Sequence, residues 1–297
     1  MQPPSTIIFA SPLLQVGRFC CPVTHPHFHD TGPIVSGHLI VFPRTSVYIR
    51  HPSAPPIVTT PNLIMFYNLH QTYRRDQLSA RGDQCEWFAF APAILLHALQ
   101  GYEPQVLDQP DQPFGFTHVL STPTIYLHQR QVVEHILHAA HPDMLYIEET
   151  MLLTLALLLA QVYQQRYARP RHPRPATHRQ QLAIVHAIQA ELACHFQEKL
   201  CLHDLAATVY LSPYELCRVF RAHTGCTIHQ YLNQLRLSTA LETVLTPGAD
   251  LTELALSLGY HSHSHFTSAF RKAFGVPPTM LRSRPKLAPN LRKNLIV

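Results

Sequence analysis

The order of apolar and polar positions divides the chain into two unlike halves. In the first, apolar runs are short and interrupted, at 34–42, 46–50, 57–60, 63–67 and 85–90, with Pro, Gly and Asn between them. Short β-rich runs with frequent turn residues predict a sandwich or barrel of strands. From Thr124 the period becomes helical: Val132, Val133, Ile136 and Leu137 recur on one face, and 148–163 is apolar on most faces. A helix of that kind must be buried, in its own core or against a second copy of the chain, and the two readings are compatible. Residues 166–179 then hold three prolines, five arginines and almost no large aliphatic side chains, which predicts an exposed, semi-stiff linker.

Beyond the linker the pattern repeats. Leu202, Leu205, Ala206, Val209 and Leu211 recur 49 residues later as Leu251, Leu254, Ala255, Leu258 and Tyr260. After one added residue, Ser212, Leu216, Phe220, Arg221 and Gly225 recur at a spacing of 50 as Ser262, Phe266, Phe270, Arg271 and Gly275. Each copy reads as a short helix, a tight turn and a second helix, so two helix-turn-helix units are expected, at about 200–221 and 250–272. Ser212-Pro213-Tyr214-Glu215 supplies the N-cap, N1 proline and N3 glutamate of a capping box. Asp250 and Glu253 suggest a similar box in the second copy, where Cys201 of the first is a poorer cap. Between the copies, 228–245 reads as a helix ended by Thr246-Pro247-Gly248. Its length of roughly 27 Å suits a strut holding two recognition helices about one DNA turn, ~34 Å, apart.

Composition agrees with two domains. With 297 residues, 46% hydrophobic and 14% charged, the chain has enough apolar surface for substantial cores. Charge separates by half: residues 1–169 carry 9 Arg and no Lys against 11 Asp and Glu, net −2, whereas 170–297 carry 14 Lys and Arg against 7 acids, net +7. A polyanion is the expected partner of the basic half. No run approaches 18 uninterrupted apolar residues, and the first residues lack the basic region of a secretory signal, so the expectation is a cytoplasmic protein with no membrane partner. Seven scattered cysteines, an odd number without CxxC pairs, fit a reducing compartment better than a disulfide framework or a structural zinc site.

The stretch RLSTALETVL…LTELALSLGYHSHSHFTSAFRKAFGVPP closely resembles the C-terminal signature of the AraC/XylS family of transcriptional regulators. The resemblance runs over about 181–284 and sets Gly259-Tyr260, Phe266, Phe270 and Gly275-Val276-Pro277-Pro278 in one register. In the front half, GHLIVFPRTSVYIRHP, PNLIMFYN and GDQCEWFAF look like the cupin-like sensor and dimerisation domain often joined to it. The resemblance implies an α+β, two-domain protein. Its parts are an N-terminal cupin-like barrel or sandwich with dimerisation helices (1–165), an Arg/Pro linker (166–180), an all-α DNA-binding domain of two helix-turn-helix units joined by a long helix (181–284), and a tail (285–297). It further implies a sequence-specific regulator of promoter DNA, more often an activator than a repressor. Such a protein is a homodimer, answers to a small effector, engages RNA polymerase when it activates, and needs no cofactor.

A recognition helix presents its first two turns to base edges and uses basic groups on phosphates. In the first unit this selects Tyr214, Glu215 and Arg218 for bases, Arg218 foremost because a guanidinium pairs bidentately with guanine, and Arg221 for the backbone. Glu215 has a sufficient structural reason in the capping box. In the second unit the corresponding set is Ser262, His263, Ser264, His265 and Ser268, with Arg271 and Lys272 for phosphates. The family usually carries a basic residue where Ser268 stands, so the first unit is expected to carry more of the specificity. Leu216, Phe220, Phe266 and Phe270 are expected in the core.

Twenty-two histidines, and the segment Cys20 to Asp30 with His25, His27 and His29 at alternate positions, raise a second reading. Alternate residues of a strand share a face and would group these imidazoles for a metal. The metal-binding cupin pattern has a Gly before HxH and a Glu after it, and neither is present, so a metal site is not expected. The alternative is a metal- or redox-responsive sensor, or a metal-dependent cupin enzyme, whose DNA binding is non-specific. A thiol switch would draw on Cys20, Cys21 or Cys85. No phosphate-cradling glycine loop, GxSxG or HExxH occurs, which argues against catalysis.

Overall fold

The computed structural model describes residues 4–52, 55–168, 175–246 and 248–283. Ten strands open the chain: β1 (Ser5–Ala10), β2 (Leu14–Cys21), β3 (Asp30–Thr31), β4 (Leu39–Pro43), β5 (Val47–Arg50), β6 (Ile57–Val58), β7 (Leu63–Tyr67), β8 (Tyr73–Gln77), β9 (Asp83–Phe90) and β10 (His118–Leu120). They form a six-stranded sheet, β1-β2-β9-β4-β7-β10, facing a four-stranded one, β3-β8-β5-β6.

Side-chain alternation assigns the two faces of the large sheet. Leu39, Val41, Met65, Tyr67, Cys85, Trp87 and Ala89 point between the sheets, whereas Ile40, Phe42, Ile64, Phe66, Phe88 and Phe90 point into a second core under the helices. Both faces are buried, which is why these strands read as continuous apolar runs and not as alternating ones. The helices that cover the second face are α1 (Pro92–Gln100), α2 (Pro123–His138) and α3 (Met144–Ala168).

The C-terminal part is helical: α4 (Pro175–His195), α5 (Leu202–Thr208), α6 (Pro213–Thr224), α7 (Ile228–Leu245), α8 (Leu251–Ser257), α9 (His263–Phe274) and α10 (Pro278–Ser283). Its apolar side chains are continuous with the N-terminal core, which runs from Val16 and Phe88 through α2 and α3 to Leu241, Phe270 and Leu281.

Several expectations need correction. Strands β1, β2, β3, β8 and β10 lie outside the five expected runs, and 34–38 precede β4 as loop. Their exposed edges and mixed polarity, as in Tyr73–Gln77, hide the strand pattern. The expected linker 166–180 is entered by helix from both sides, α3 to Ala168 and α4 from Pro175, because proline is tolerated at a helix start. Residues 169–174 of that linker and the tail 285–297 lie outside the described residues. Helix α3 is, by length and composition, long and apolar enough to cross a bilayer over Met144–Arg166. It packs against α2, burying Ile147, Met151, Leu155, Leu158 and Val162 in the core.

Candidate nucleic-acid interface

Helix α6 begins at the expected box: the Ser212 hydroxyl accepts from the Glu215 N–H at 3.2 Å, and the Glu215 carboxylate accepts from the Ser212 N–H at 3.2 Å. Leu216, Val219 and Phe220 are buried against α5, and Gly225 closes the helix at φ 78°. Burial at 216, 219 and 220 leaves Tyr214, Glu215, Arg218 and Arg221 outward, all exposed, with Tyr214 77% exposed. The bonds from Ser212 hold the Glu215 carboxyl below its usual range.

Helix α9 starts at Ser262, whose hydroxyl accepts from the His265 N–H at 3.2 Å. Phe266, Phe270 and Phe274 are buried, and Gly275 closes the helix at φ 78°. Ser262, Ser264, His265, Ser268, Arg271 and Lys272 are exposed. His263 departs from its expected exposure: it is half-buried, its Nε2 at 3.4 Å from Thr267 Oγ1 one turn on. His265 instead stacks on His261, ring centroids 6.0 Å apart. Asp250 caps α8 by accepting from the Thr252 and Glu253 N–H groups, with no return bond from Glu253, so the expected reciprocal box is half made.

The two outer faces correspond position by position. Tyr214, Arg218 and Arg221 of α6 have Ser264, Ser268 and Arg271 of α9 as counterparts, so the first face offers two guanidiniums and a phenol where the second offers hydroxyls and one guanidinium. What separates the units is α7, 18 residues with a complete Thr227–Gln230 capping box.

Three features escaped the sequence reading. Arg236, on α7, donates to the carbonyls of Phe196 (2.6 Å), Glu198 (2.7 Å) and Gly259 (3.3 Å), tying the end of α4 to the turn of the second unit. At that turn a Cβ on Gly259 would lie 2.6 Å from the Gln197 carbonyl oxygen and 2.8 Å from Arg236, and φ is +78°. The equivalent turn of the first unit holds Tyr210, also left-handed at φ 54° but 96% exposed.

The third feature is a clamp from the N-terminal domain onto α7. Thr60 Oγ1 lies 3.0 Å from Tyr231 Oη, Asn62 Nδ2 donates to the Tyr231 carbonyl at 2.7 Å, and Gln234 Nε2 donates to the Ser121 carbonyl at 2.5 Å. Arg44 forks onto both carboxylate oxygens of Glu242, with Nε to Oε1 at 2.7 Å, and also reaches buried Glu86 at 3.3 Å. Glu86 in turn meets Arg130 of α2 at 3.1 Å. Burial opposes ionisation of Glu242, but the Arg44 fork and the Arg130 charge outweigh it and hold the carboxyl below its usual range.

A separate cavity of about 280 Å³ lies between the two sheets, lined by apolar side chains including Val41, Ile49, Met65 and Trp87. The segment holding His25, His27 and His29 is a series of turns and not a strand, and its Phe28 is buried in the core between the sheets. The expected common face is therefore not formed. His25 accepts from the His27 N–H, while His29 Nδ1 contacts the Arg75 carbonyl at 3.1 Å. Among the described residues no group of three or more His, Cys, Asp or Glu is placed to hold a metal.

Residues 205–284 match the family described as "Helix-turn-helix domain". Curated relatives include the HTH-type transcriptional activator RhaS of Salmonella arizonae and of Salmonella newport, each 34% identical over 100 residues, 34% of this chain. The match spans about a third, 36%, of those relatives' own length. These relatives are HTH-type transcriptional activators. Among solved structures, the DNA-binding domain of AdpA in complex with a target DNA is 27% identical, covering 34% of this chain and 96% of that one, with a TM-score of 0.32. The C-terminal domain of AraT from Geobacillus stearothermophilus is 30% identical, covering 34% and 84%, with a TM-score of 0.32. ToxT from Vibrio cholerae is 10% identical, covering 91% and 97%, with a TM-score of 0.34. Over its C-terminal part this chain is similar to a helix-turn-helix domain and to the corresponding part of HTH-type transcriptional activators.

Proposed function

We propose that this protein is a sequence-specific transcriptional regulator, an activator that answers to a small effector held in a cupin-like N-terminal domain. The observation that carries the reading is the pair of capped recognition helices with matched outer faces, on a strut that the N-terminal domain clamps. Arg218 pairs with guanine, Tyr214 contacts bases beside it, and Arg221, Arg271 and Lys272 engage phosphates. Glu215 chiefly holds the helix start, and Ser262, Ser264, His265 and Ser268 give the second unit a weaker grip, with His263 turned partly inward. The cavity between the sheets is the effector site.

Two copies act together in this reading. Helix α3 presents Leu145, Ala156 and Ala160 outward as one stripe, with Leu152 half-exposed along it and exposed Glu149 the one charge on it, a mostly apolar face suited to a second α3. The dimer works in the cytoplasm on paired promoter half-sites and recruits RNA polymerase.

Selection of fragmented genomic DNA by the full-length chain near physiological salt tests this. Enrichment of a short paired motif is expected, and Arg218→Ala should weaken binding by ~1–3 kcal/mol with relaxed preference at one base pair. Sequence-blind retention that Arg218→Ala leaves unchanged would overturn the reading.

A further inference from the structure

We infer that the cavity between the two sheets selects an uncharged, largely apolar, ring-sized molecule bearing a hydrogen-bonding group, and rejects carboxylates and phosphates. This rests on the cavity being the effector site, and deepens that reading by naming the chemistry of the occupant.

The volume, about 280 Å³, suits a small ring compound, and the walls are aliphatic and aromatic. Polar residues share the same lining: Tyr67, Tyr73, Cys21, Cys85 and Asp83, with His27 and several Ser and Thr residues. Burial pushes the Cys85 thiol and the Tyr67 phenol well above their usual values, and burial likewise pushes Tyr73 up to about 12, so these groups meet a ligand as neutral donors and acceptors. Asp83 is the one acidic side chain in the lining, and no Lys or Arg is among the lining residues.

The nearest guanidinium does not fill that gap. Arg75 is fully buried and outside the cavity lining, its Nε 2.7 Å from Asp83 Oδ2. Its other nitrogens donate to the Phe28 carbonyl at 3.2 Å and the Tyr73 hydroxyl at 3.3 Å, and Phe19 and Phe28 lie against its faces at 4.7 and 5.4 Å. Exposed His27 is the one basic side chain in the lining, so an anion entering the buried part of the cavity would be stripped of water and set beside Asp83 with no Lys or Arg to receive it, which is the costly case for a buried charge. A hydroxyl or amide loses far less and finds partners in the phenols and thiols.

Trp87 reports occupancy. It is the chain's single tryptophan and lines the cavity. Its ring is held against Gly17, where a Cβ would come within 2.1 Å of it, and its Nε1 donates to Ser5 Oγ at 3.0 Å. The experiment titrates the full-length protein with 3-phenylpropanol and with its carboxylate counterpart, 3-phenylpropionate, following Trp87 emission. The alcohol should give a saturable change with a dissociation constant at least about tenfold lower than the acid's. Val41→Phe, which fills the cavity without touching the Arg75–Asp83 pair, should abolish the response, and Asp83→Asn should narrow the alcohol-to-acid ratio. If Asp83→Asn fails to fold, the wild type and Val41→Phe decide the matter. Equal or tighter binding of the acid, or no saturable change with either probe, overturns the inference. Genomic DNA selection without probes is read separately. Loss of sequence preference with an intact Trp87 response defeats the regulator reading alone, and the reverse pattern defeats the ligand class alone.

Discussion

The Arg44–Glu242 fork is the most exacting test of how the two domains are joined. Two charge-assisted N–H···O bonds link side chains that are 18% and 26% exposed, between the regimes of surface and buried pairs. Exposed pairs contribute ~0.2–1 kcal/mol and truncation of a buried one costs ~3–5, so about 2 kcal/mol is expected for either Arg44→Ala or Glu242→Ala. Arg44 also reaches Glu86, but Arg130 and Arg18 stay beside that carboxylate, which limits the added loss. A double-mutant cycle by urea unfolding should therefore return a coupling energy of about 1.5–2 kcal/mol. Each single variant should melt about 4–6 °C lower, taking roughly 2–3 °C per kcal/mol for a chain of this size. The depressed carboxyl of Glu242 sets the pH window. Its contribution is whole above the unfolded carboxylate value and is lost as pH falls through the lower folded one. A coupling below about 0.5 kcal/mol at neutral pH would refute the placement of α7 against the sheet.

Three further outcomes follow from local geometry. Tyr210→Gly relieves about 1–2 kcal/mol of left-handed strain and gives back ~0.4–1 through a freer unfolded chain, a net gain of about 0.5. Gly259→Ala adds the same strain and a backbone clash, costing about 3 kcal/mol, and urea midpoints moving in the same direction would refute the contrast. Burial lowers the His128 imidazole from its usual 6.5 to about 4, so the unfolded chain binds the extra proton between those values. Stability should be full above pH 6.5 and fall by up to about 3 kcal/mol on acidification to pH 4, and His128→Gln should flatten that segment of the profile. Arg236→Gln loses charge-assisted donation to three carbonyls, costing about 2 kcal/mol, and should weaken specific DNA binding more than the same loss of stability elsewhere, measured by gel shift at fixed salt.

The C-terminal domain was the more legible because its signals are local. An N-cap serine, a glycine close and a 3–4 apolar spacing lie within one helix each, and the repeat displays them twice, with the full Ser-Pro-x-Glu start in the first copy alone. The N-terminal domain depends on pairings between distant residues. β2 pairs with β9 across Leu14↔Phe90 to Cys21↔Asp83, and nothing near Leu14 announces that partner. The common face of His25, His27 and His29 was misjudged for a related reason: their alternation presumes an extended backbone, and the chain turns there, with Phe28 buried. The clamp on α7 was invisible because Thr60, Asn62 and Arg44 gain their meaning only from residues 169 to 198 positions away.

The architecture gives the two halves a short mechanical connection. Three points of the N-terminal domain carry a cavity-facing residue next to a strut-side one: Pro43 beside Arg44, Thr59 beside Thr60, and Cys85 beside Glu86. Cys85 and Glu86 lie within β9, where successive side chains point to opposite faces, and at the other two points the cavity-lining and strut-side residues are covalent neighbours, so a displacement of the cavity wall reaches the strut side within one residue. Arg44 and Thr60 end directly on α7, at Glu242 near one end and Tyr231 near the other, while Glu86 acts through Arg44. A rigid helix gripped near both ends tilts when one grip moves relative to the other. Helices α6 and α9 flank that helix in sequence, so a tilt of α7 moves both relative to the N-terminal domain. Under the proposed function, these contacts are the route by which filling of the cavity reaches α7 and the helices on either side of it.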